Sequence, residues 1–206
     1  MSMTHFESNK SDPATLKPGI ILASQSPRRK QLLEWAEIPF EIIVKETDES
    51  YPPDLSMEEI AIHIARNKAL AIEVGDYSAR PVLAADTIVV LQEEVIGKPK
   101  DRDDAISILS RLSGASHRVI TGVVIRYNGR EITFADSTTV EFHELTKEQI
   151  SYYVDKYKPY DKAGAYAIQE WIGVTGIKSV SGDFYNVMGL PVSRVVQQLE
   201  LIFEAV

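Results

Sequence analysis

The ten-residue run from Val82 to Leu91 constrains this chain most, because it is almost entirely apolar and β-branched. That composition is typical of a strand buried on both faces of a sheet. Asp86 and Thr87 interrupt the run near its middle. An ionised carboxylate seldom lies in a protein core unless it is paired, binds a metal or takes part in chemistry. We therefore favour a functional role for Asp86 over the alternative, a strand-end residue capped by backbone donors.

Basic residues also follow two other short apolar segments of the chain. A second short strand ends in Gly97-Lys98-Pro99, and the apolar segment Ile20 to Ala23 leads into Ser24-Gln25-Ser26-Pro27-Arg28-Arg29. Ser26 and Pro27 are typical of an N-cap and a first helical residue. Basic residues in the first turn of a helix oppose the helix dipole. We therefore predict an anion site, such as a phosphate site, over an ordinary helix with a solvated basic first turn.

The bulk properties exclude several classes of protein. With 206 residues the chain can bury a sizeable core, but its net charge of −8 disfavours a nonspecific nucleic-acid binder. The absence of cysteine excludes disulfides, thiolate zinc sites and cysteine nucleophiles. No apolar run approaches the length of a membrane span. We expect a cytoplasmic protein without membrane or nucleic-acid partners, with residues 1–18 as a mobile polar leader and 19–206 as one domain.

Regular elements are predicted along most of the chain. Phe40, Ile42 and Val44 alternate as a strand, and the acidic segment 46–49 after them is interpreted as solvated on its composition alone. Ser56 and Glu59 predict a capping box that opens a helix running to about Gly75. Arg66 and Lys68 on this helix are expected to face solvent. The other predicted features are helix caps at Asp101, Asp103 and Asp104, a hairpin at Asn128-Gly129, a helix opened by Thr146 and Gln149, and a final amphipathic helix from Pro191.

The segment from Lys158 to Gln169 is rich in small residues, so a backbone there can approach another group closely. It presents Asp161, Lys162 and Gln169. The two histidines nearest the predicted strand ends, His117 and His143, carry no strong indication of a ligand role.

Six segments together resemble the Maf family of nucleotide pyrophosphatases, in order and over about residues 20–200. They are Leu-Ala-Ser-Gln-Ser-Pro-Arg-Arg (22–29), Ala-Asp-Thr-Ile-Val-Val (85–90), Gly-Lys-Pro (97–99), Leu-Ser-Gly…His…Val-Ile-Thr-Gly-Val (112–123), Asp-Lys-Ala-Gly-Ala-Tyr-Ala-Ile-Gln (161–169) and Val-Met-Gly-Leu-Pro (187–191). Each segment alone is weak evidence for the family, but the six together are highly specific for it. The resemblance implies an α/β fold with an elongated mixed central sheet, flanking helices and two lobes around a cleft, similar to the inosine triphosphate pyrophosphatases.

The resemblance also implies roles for individual residues. It places Ser24, Arg28 and Arg29 on a phosphate-binding turn, makes Asp86 the proton acceptor, and adds Lys68 and Lys98 as catalytic lysines. Glu49 and Asp86 would hold a divalent cation, Mg²⁺ or Mn²⁺, which prefers oxygen ligands. Which acid is the base and which binds the metal stays open. A homodimer is a further expectation, since dimers are common in the family.

The resemblance favours a subtype acting on dTTP and UTP over one acting on 7-methyl-GTP. Arg28, Thr87 and Gln169 match the first subtype, whereas the second typically has tryptophan for the first arginine and Ser-Asp-Gln for Ala-Asp-Thr. Lys158, where an acidic residue is common, and the segment 181–186 depart from the family pattern. The predicted function is hydrolysis of dTTP and UTP to the monophosphate and pyrophosphate, in house-cleaning of nucleotide pools. The alternatives are a purine-directed or 7-methyl-GTP-directed pyrophosphatase, and a nucleotide-binding regulator of septum formation.

Overall fold

The computed structural model describes residues 19–73 and 80–204, so the predicted leader lies outside the described residues. Seven strands form one sheet: β1 Ile20–Leu22, β2 Phe40–Ile42, β3 Val82–Leu91, β4 Glu94–Ile96, β5 Ser116–Tyr127, β6 Arg130–Phe142 and β7 Ile177–Ser181. The α-helices are α1 Pro27–Trp35, α2 Met57–Leu70, α3 Arg102–Leu112, α4 Lys147–Tyr157, α5 Trp171–Gly176, α6 Phe184–Met188 and α7 Val192–Glu204. A short 3₁₀ turn spans Ala163–Ala165.

The sheet is mixed, with the strand order β2-β1-β3-β5-β6-β7. The first strand, β1, pairs in parallel with both β2 and β3, and the pairs from β3 through β5 and β6 to β7 are antiparallel. Parallel neighbours need a crossover connection, and α1 and α2 supply these between the parallel strands. The predicted mixed α/β fold with flanking helices is confirmed.

One edge of β3 is shared by two short partners that leave a gap between them. The other edge pairs with β5 along residues 82–90. On the shared edge, β1 pairs with Val82 and Leu83, and β4 pairs with residues 89–91. Within the described part of the chain no strand pairs with residues 84–88 on this edge. The sheet therefore opens beside Asp86 and Thr87.

Side chains alternate between the two faces of β3, and each face packs against different helices. Val82, Ala84, Ile88 and Val90 face α2 and belong to two separate apolar clusters, with Asp86 between them in the same register. The odd-numbered residues face a larger core built with α1, α3, α4, α5, α6 and α7. Asp86 and Thr87 therefore project from opposite faces of the sheet.

Most of the predicted local features are confirmed. The Asn128-Gly129 turn joins β5 to β6 with positive φ at both residues, and capping boxes open α2 and α4. Two expectations need correction. The β2 strand ends at Ile42, before Val44, and α2 ends at Leu70, while Gly75 lies outside the described residues. Ser26 occupies the N-cap of α1, but its side chain makes no capping hydrogen bond within the described chain.

No helix among the described residues is long and apolar enough to cross a bilayer.

Gly122 sets the distance between α2 and the sheet, because a Cβ at this position would lie 2.3 Å from Ala61 C and from Ile62 N. We predict that Gly122→Ala lowers the free energy of unfolding by about 1–3 kcal/mol, since backbone must move to admit the methyl group. Urea unfolding measures this change. Gly97→Ala is the matched control, because a methyl there meets no described atom within 4 Å. Equal stability of the two variants would contradict the close approach.

Candidate active site

A pocket of about 620 Å³ occupies the opening in the sheet. Its walls come from the β1–α1 turn, the loop after β2, the middle of β3, Lys98 after β4, the segment 161–167 and the end of α6. Six cationic side chains and four acidic ones line it, although the whole chain carries a net charge of −8. The pocket therefore concentrates positive charge in an acidic protein, as an anionic ligand requires.

Arg29 and Lys162 are the most deeply buried of these cations, each with 8% of the residue exposed. The guanidinium of Arg29 donates to Gly189 O at 2.7 Å, to Ser24 Oγ at 3.0 Å and to Thr87 Oγ1 at 3.0 Å. All three acceptors are uncharged, and Arg29 forms no ion pair with the described carboxylates. Burial lowers the pKa of Arg29 from its ordinary value, while the nearby charge of Asp86 opposes the shift. An anion in the pocket would supply the missing counter-charge.

Thr87 holds Arg29 through a chain of hydroxyl groups. Thr121 Oγ1 donates to Asn186 O at 3.1 Å, which uses its single proton. Thr87 Oγ1 lies 2.9 Å from Thr121 Oγ1 and 3.4 Å from Gly189 O, and it accepts from Arg29. The hydroxyl of Thr87 is thus engaged within the protein, and it positions the arginine. Its predicted role in base selection stays a prediction.

Asp86, Lys68 and Glu49 form a second group on the α2 side of β3. Lys68 Nζ lies 2.5 Å from Asp86 Oδ1 and 2.8 Å from Glu49 Oε1, so one ammonium group bridges two carboxylates. The hydrogen bond from Lys68 is the main cause that lowers the pKa of Glu49. The Lys68 side chain is only 18% exposed. The expectation from the helix pattern that it faces solvent is wrong, because α2 lies across the sheet directly above β3.

The remaining charges lie around the mouth of the pocket. Lys98 Nζ is 4.0 Å from Glu49 Oε2, and its side chain is 57% exposed. Arg28 Nη1 is 3.6 Å from Asp161 Oδ2, and Lys162 Nζ is 2.8 Å from Asp161 Oδ1. Partial burial raises the pKa of Asp161, but the hydrogen bond from Lys162 and the charge of Arg28 outweigh it, so the net shift is downward.

The two acids predicted as metal ligands, Glu49 and Asp86, line the same pocket and share Lys68 as a neighbour. Among the described residues no group of three or more acidic or histidine side chains could hold a metal ion. Two carboxylates nevertheless fit Mg²⁺ or Mn²⁺, since such ions commonly combine one or two carboxylates with phosphate oxygens and water. The donor set therefore fits a metal that the substrate helps to hold.

The structure brings together all but one of the predicted site residues. Those that line the pocket are Ser24, Arg28, Arg29, Glu49, Lys68, Asp86, Thr87 and Lys98. Gln169 is exposed and is not among the lining residues that the structure describes. Its predicted specificity role therefore has no geometric support here and stays a prediction.

Sequence reasoning gave no role to Tyr166, which lines the pocket, or to the Gly189 carbonyl that anchors Arg29. Both lie in segments that carry the family resemblance, which was the available signal.

Comparison with known proteins identifies the family of this chain. The chain matches the Maf-like protein family over residues 19–202. A protein of Cytophaga hutchinsonii named dTTP/UTP pyrophosphatase is 50% identical over 184 residues, which cover 89% of this chain and 84% of that protein. Proteins of the same name from Parabacteroides distasonis and Bacteroides thetaiotaomicron are each 47% identical over 182 residues, covering 88% of this chain and 94% of theirs.

Two solved structures are more distant. A nucleoside-triphosphatase, or dITP/XTP pyrophosphatase, of Mycobacterium abscessus aligns with 15% identity and a TM-score of 0.36, covering 60% of this chain and 72% of that one. The Ham1 protein of Staphylococcus aureus aligns with 15% identity and a TM-score of 0.40, covering 61% of this chain and 72% of that one. The family match extends over nearly all the described residues and includes every element that builds the pocket, so this chain belongs to the Maf family.

Proposed function

We propose that this protein hydrolyses nucleoside triphosphates, with dTTP and UTP as the preferred substrates, to the monophosphate and pyrophosphate. The observation that carries the proposal is Arg29, a buried cation in a pocket with only uncharged partners among the described residues. The nearby charges of Asp86 and Glu49 offset the burial of Arg29 only in part, since its pKa is still lowered, and a phosphate group would supply a direct counter-charge. The relatives named dTTP/UTP pyrophosphatase support the reaction and the choice of bases. Such an enzyme would serve in house-cleaning of nucleotide pools.

Arg29 and Lys98 have different roles in binding the phosphate chain. Arg29 is already oriented by Ser24, Thr87 and the Gly189 carbonyl, so it loses little freedom when a phosphate binds. Lys98 is the more exposed cation and would stabilise the charge that develops on the leaving pyrophosphate. Preorganised donors of this kind lower the barrier, because they need little rearrangement during the reaction.

Asp86 is the group we propose as general base. Its carboxylate lies at the opening of the sheet with only 14% of the side chain exposed, and Lys68 fixes one of its oxygens. The other oxygen can orient and deprotonate a water molecule for attack on a phosphorus atom. Glu49 and Asp86 would hold Mg²⁺ or Mn²⁺ together with phosphate oxygens. Such an ion, when bound, neutralises charge on the phosphate chain.

Three further expectations belong to this proposal. We place the protein in the cytoplasm, with a nucleotide as its partner and with a homodimer as its assembly. The acidic net charge of −8 supports the exclusion of nucleic acid as a partner.

The first prediction concerns the products. Incubation with UTP should release pyrophosphate and UMP, EDTA should abolish the reaction, and Mg²⁺ or Mn²⁺ should restore it, because Glu49 and Asp86 need a cation to accept a polyphosphate beside them. Phosphorus NMR separates pyrophosphate from orthophosphate directly. Orthophosphate as the first product would rule out the proposed reaction, and full turnover in chelator would rule out the metal.

The second prediction concerns the base. Asp86→Asn keeps the shape of the side chain but removes its charge and its proton affinity, so kcat should fall by roughly two to four orders of magnitude. Binding of a non-hydrolysable UTP analogue should persist, since the cations are unchanged. Asp155→Asn is the control, because it removes an exposed carboxylate that binds Arg102 on α3, away from the pocket. Similar kcat values in the two variants would show that Asp86 is structural.

The third prediction concerns base selection. The wild-type protein should cleave dTTP and UTP well, CTP less well and 7-methyl-GTP poorly. Gln169→Glu removes an amide donor, so it should narrow the discrimination between UTP and CTP by about 1–3 kcal/mol if that amide reads the base. Values of kcat/KM for the four nucleotides, on both proteins, measure this. Unchanged ratios in the variant would remove Gln169 from base recognition, in keeping with its exposed position.

A further inference from the structure

Two of the segments that carry the family resemblance contain a buried aromatic side chain without a role in the proposed reaction. One contains His117 on β5, and the other contains Tyr166 after the 3₁₀ turn. The structure joins them, because His117 Nε2 lies 2.7 Å from Tyr166 Oη. The residues are 49 positions apart in the sequence, so the bond ties the segment 161–167 to the sheet.

Tyr166 is fixed by buried contacts with His117 and Phe142. His117 is 3% exposed and Tyr166 is 6% exposed. Phe142 lies against both rings, with its centroid 5.6 Å from that of His117 and 5.1 Å from that of Tyr166. Burial lowers the pKa of His117 to about 4 and raises that of Tyr166, so both side chains are neutral at physiological pH. The bond therefore anchors the hydroxyl without adding charge, and Tyr166 still contributes to the pocket wall.

The wall around Tyr166 is apolar and lies on one side of the sheet. Val89 and Val119 are paired across β3 and β5, and they project from the same face as Thr87. Ala167 and Met188 complete this part of the lining. We call these four residues with Tyr166 the apolar chamber. Asp86, Lys68 and Glu49 lie on the other face of the sheet, so the chamber is separated from the carboxylates assigned to the chemistry.

We propose that the apolar chamber binds the nucleobase of the substrate, with Tyr166 as a base-contacting residue and His117 as the residue that positions it. The inference rests on the proposed function, since it takes the ligand to be a nucleoside triphosphate. The cations account for the phosphates, which leaves the uncharged, flat base for the part of the pocket without charge. Contacts between an aromatic side chain and a base depend little on which base is present. Tyr166 therefore sets affinity for the nucleoside, and neighbouring polar groups choose among bases.

The test separates base binding from phosphate binding by comparing two probes. Calorimetry would measure the Kd of α,β-imido-UTP, which contains a base, and of inorganic tripolyphosphate, which does not. Tyr166→Leu should weaken binding of the UTP analogue by roughly 10-fold to 100-fold, and it should change tripolyphosphate binding by less than about two-fold. Retained tripolyphosphate binding also shows that the variant is folded. Tyr160→Leu is the matched control, since Tyr160 is nearby in sequence but does not line the described pocket.

The role of His117 is tested by a double-mutant cycle. Tyr166→Phe and His117→Phe each remove the same hydrogen bond, so each should raise the KM for UTP several-fold with kcat nearly unchanged. The double variant should be no worse than either single one, because the effects of two partners in one bond are not additive. His117→Gln, which keeps a polar group facing the hydroxyl, should recover part of the lost affinity. Additive effects, or changes confined to kcat, would overturn the positioning role.

Two results would overturn the base site. Equal loss of both probes in Tyr166→Leu would make Tyr166 a support for the whole pocket, and unchanged binding of both would place the base elsewhere. Either result leaves hydrolysis by the wild-type protein intact and so contradicts this inference alone. Failure of the wild-type protein to bind α,β-imido-UTP would contradict the proposed function and this inference together.

Discussion

The alternation of side chains along β3 is the constraint on which the site depends. Two consecutive polar residues, Asp86 and Thr87, must project from opposite faces of the sheet. A pocket confined to one face could use only one of them. The gap between β1 and β4 on the shared edge of β3 solves this problem, because it lets a single pocket reach both faces. The two polar residues in the apolar strand and the opening of the sheet beside them therefore serve the same pocket.

The charges in the pocket are unevenly satisfied, and this imbalance favours a substrate that brings its own negative charge. Lys68 gives Asp86 and Glu49 a shared counter-charge, but one ammonium group does not neutralise two carboxylates, so this group of three keeps a net negative charge before any ligand binds. Arg29 has no such partner among the described residues and depends on neutral oxygens. A polyphosphate with a divalent cation, as proposed, would complete both halves, since the phosphates would pair with Arg29 and the cation with the carboxylates.

The sequence predicted features that depend on local spacing, and it failed where long-range packing decides the outcome. The β3 strand, the hairpin at Asn128-Gly129 and the capping boxes follow from nearby residues alone. The position of Lys68 does not, because Lys68 lies four residues after the buried Ile64 on the same face of α2, and only the packing of that helix over β3 places it beside Asp86. The bond between His117 and Tyr166 likewise joins segments that no local pattern connects. The family resemblance identified Lys68 as functional, but it gave no geometry.

On the proposed assignments, separation of the two faces would let one scaffold vary its substrates without changing its reaction. Residues on the α2 face of β3 hold the carboxylates and Lys68, whereas residues on the other face form the apolar chamber. Arg29 connects the two faces, because it donates a hydrogen bond to Thr87 on the chamber side and lies close enough to Asp86 for that charge to affect its pKa. Substitutions around Tyr166 would therefore reshape the space proposed for the base while the alternation of β3 keeps the Asp86 carboxylate in place. A change at Thr87 acts differently, since it alters the support of Arg29 and so affects phosphate and base together.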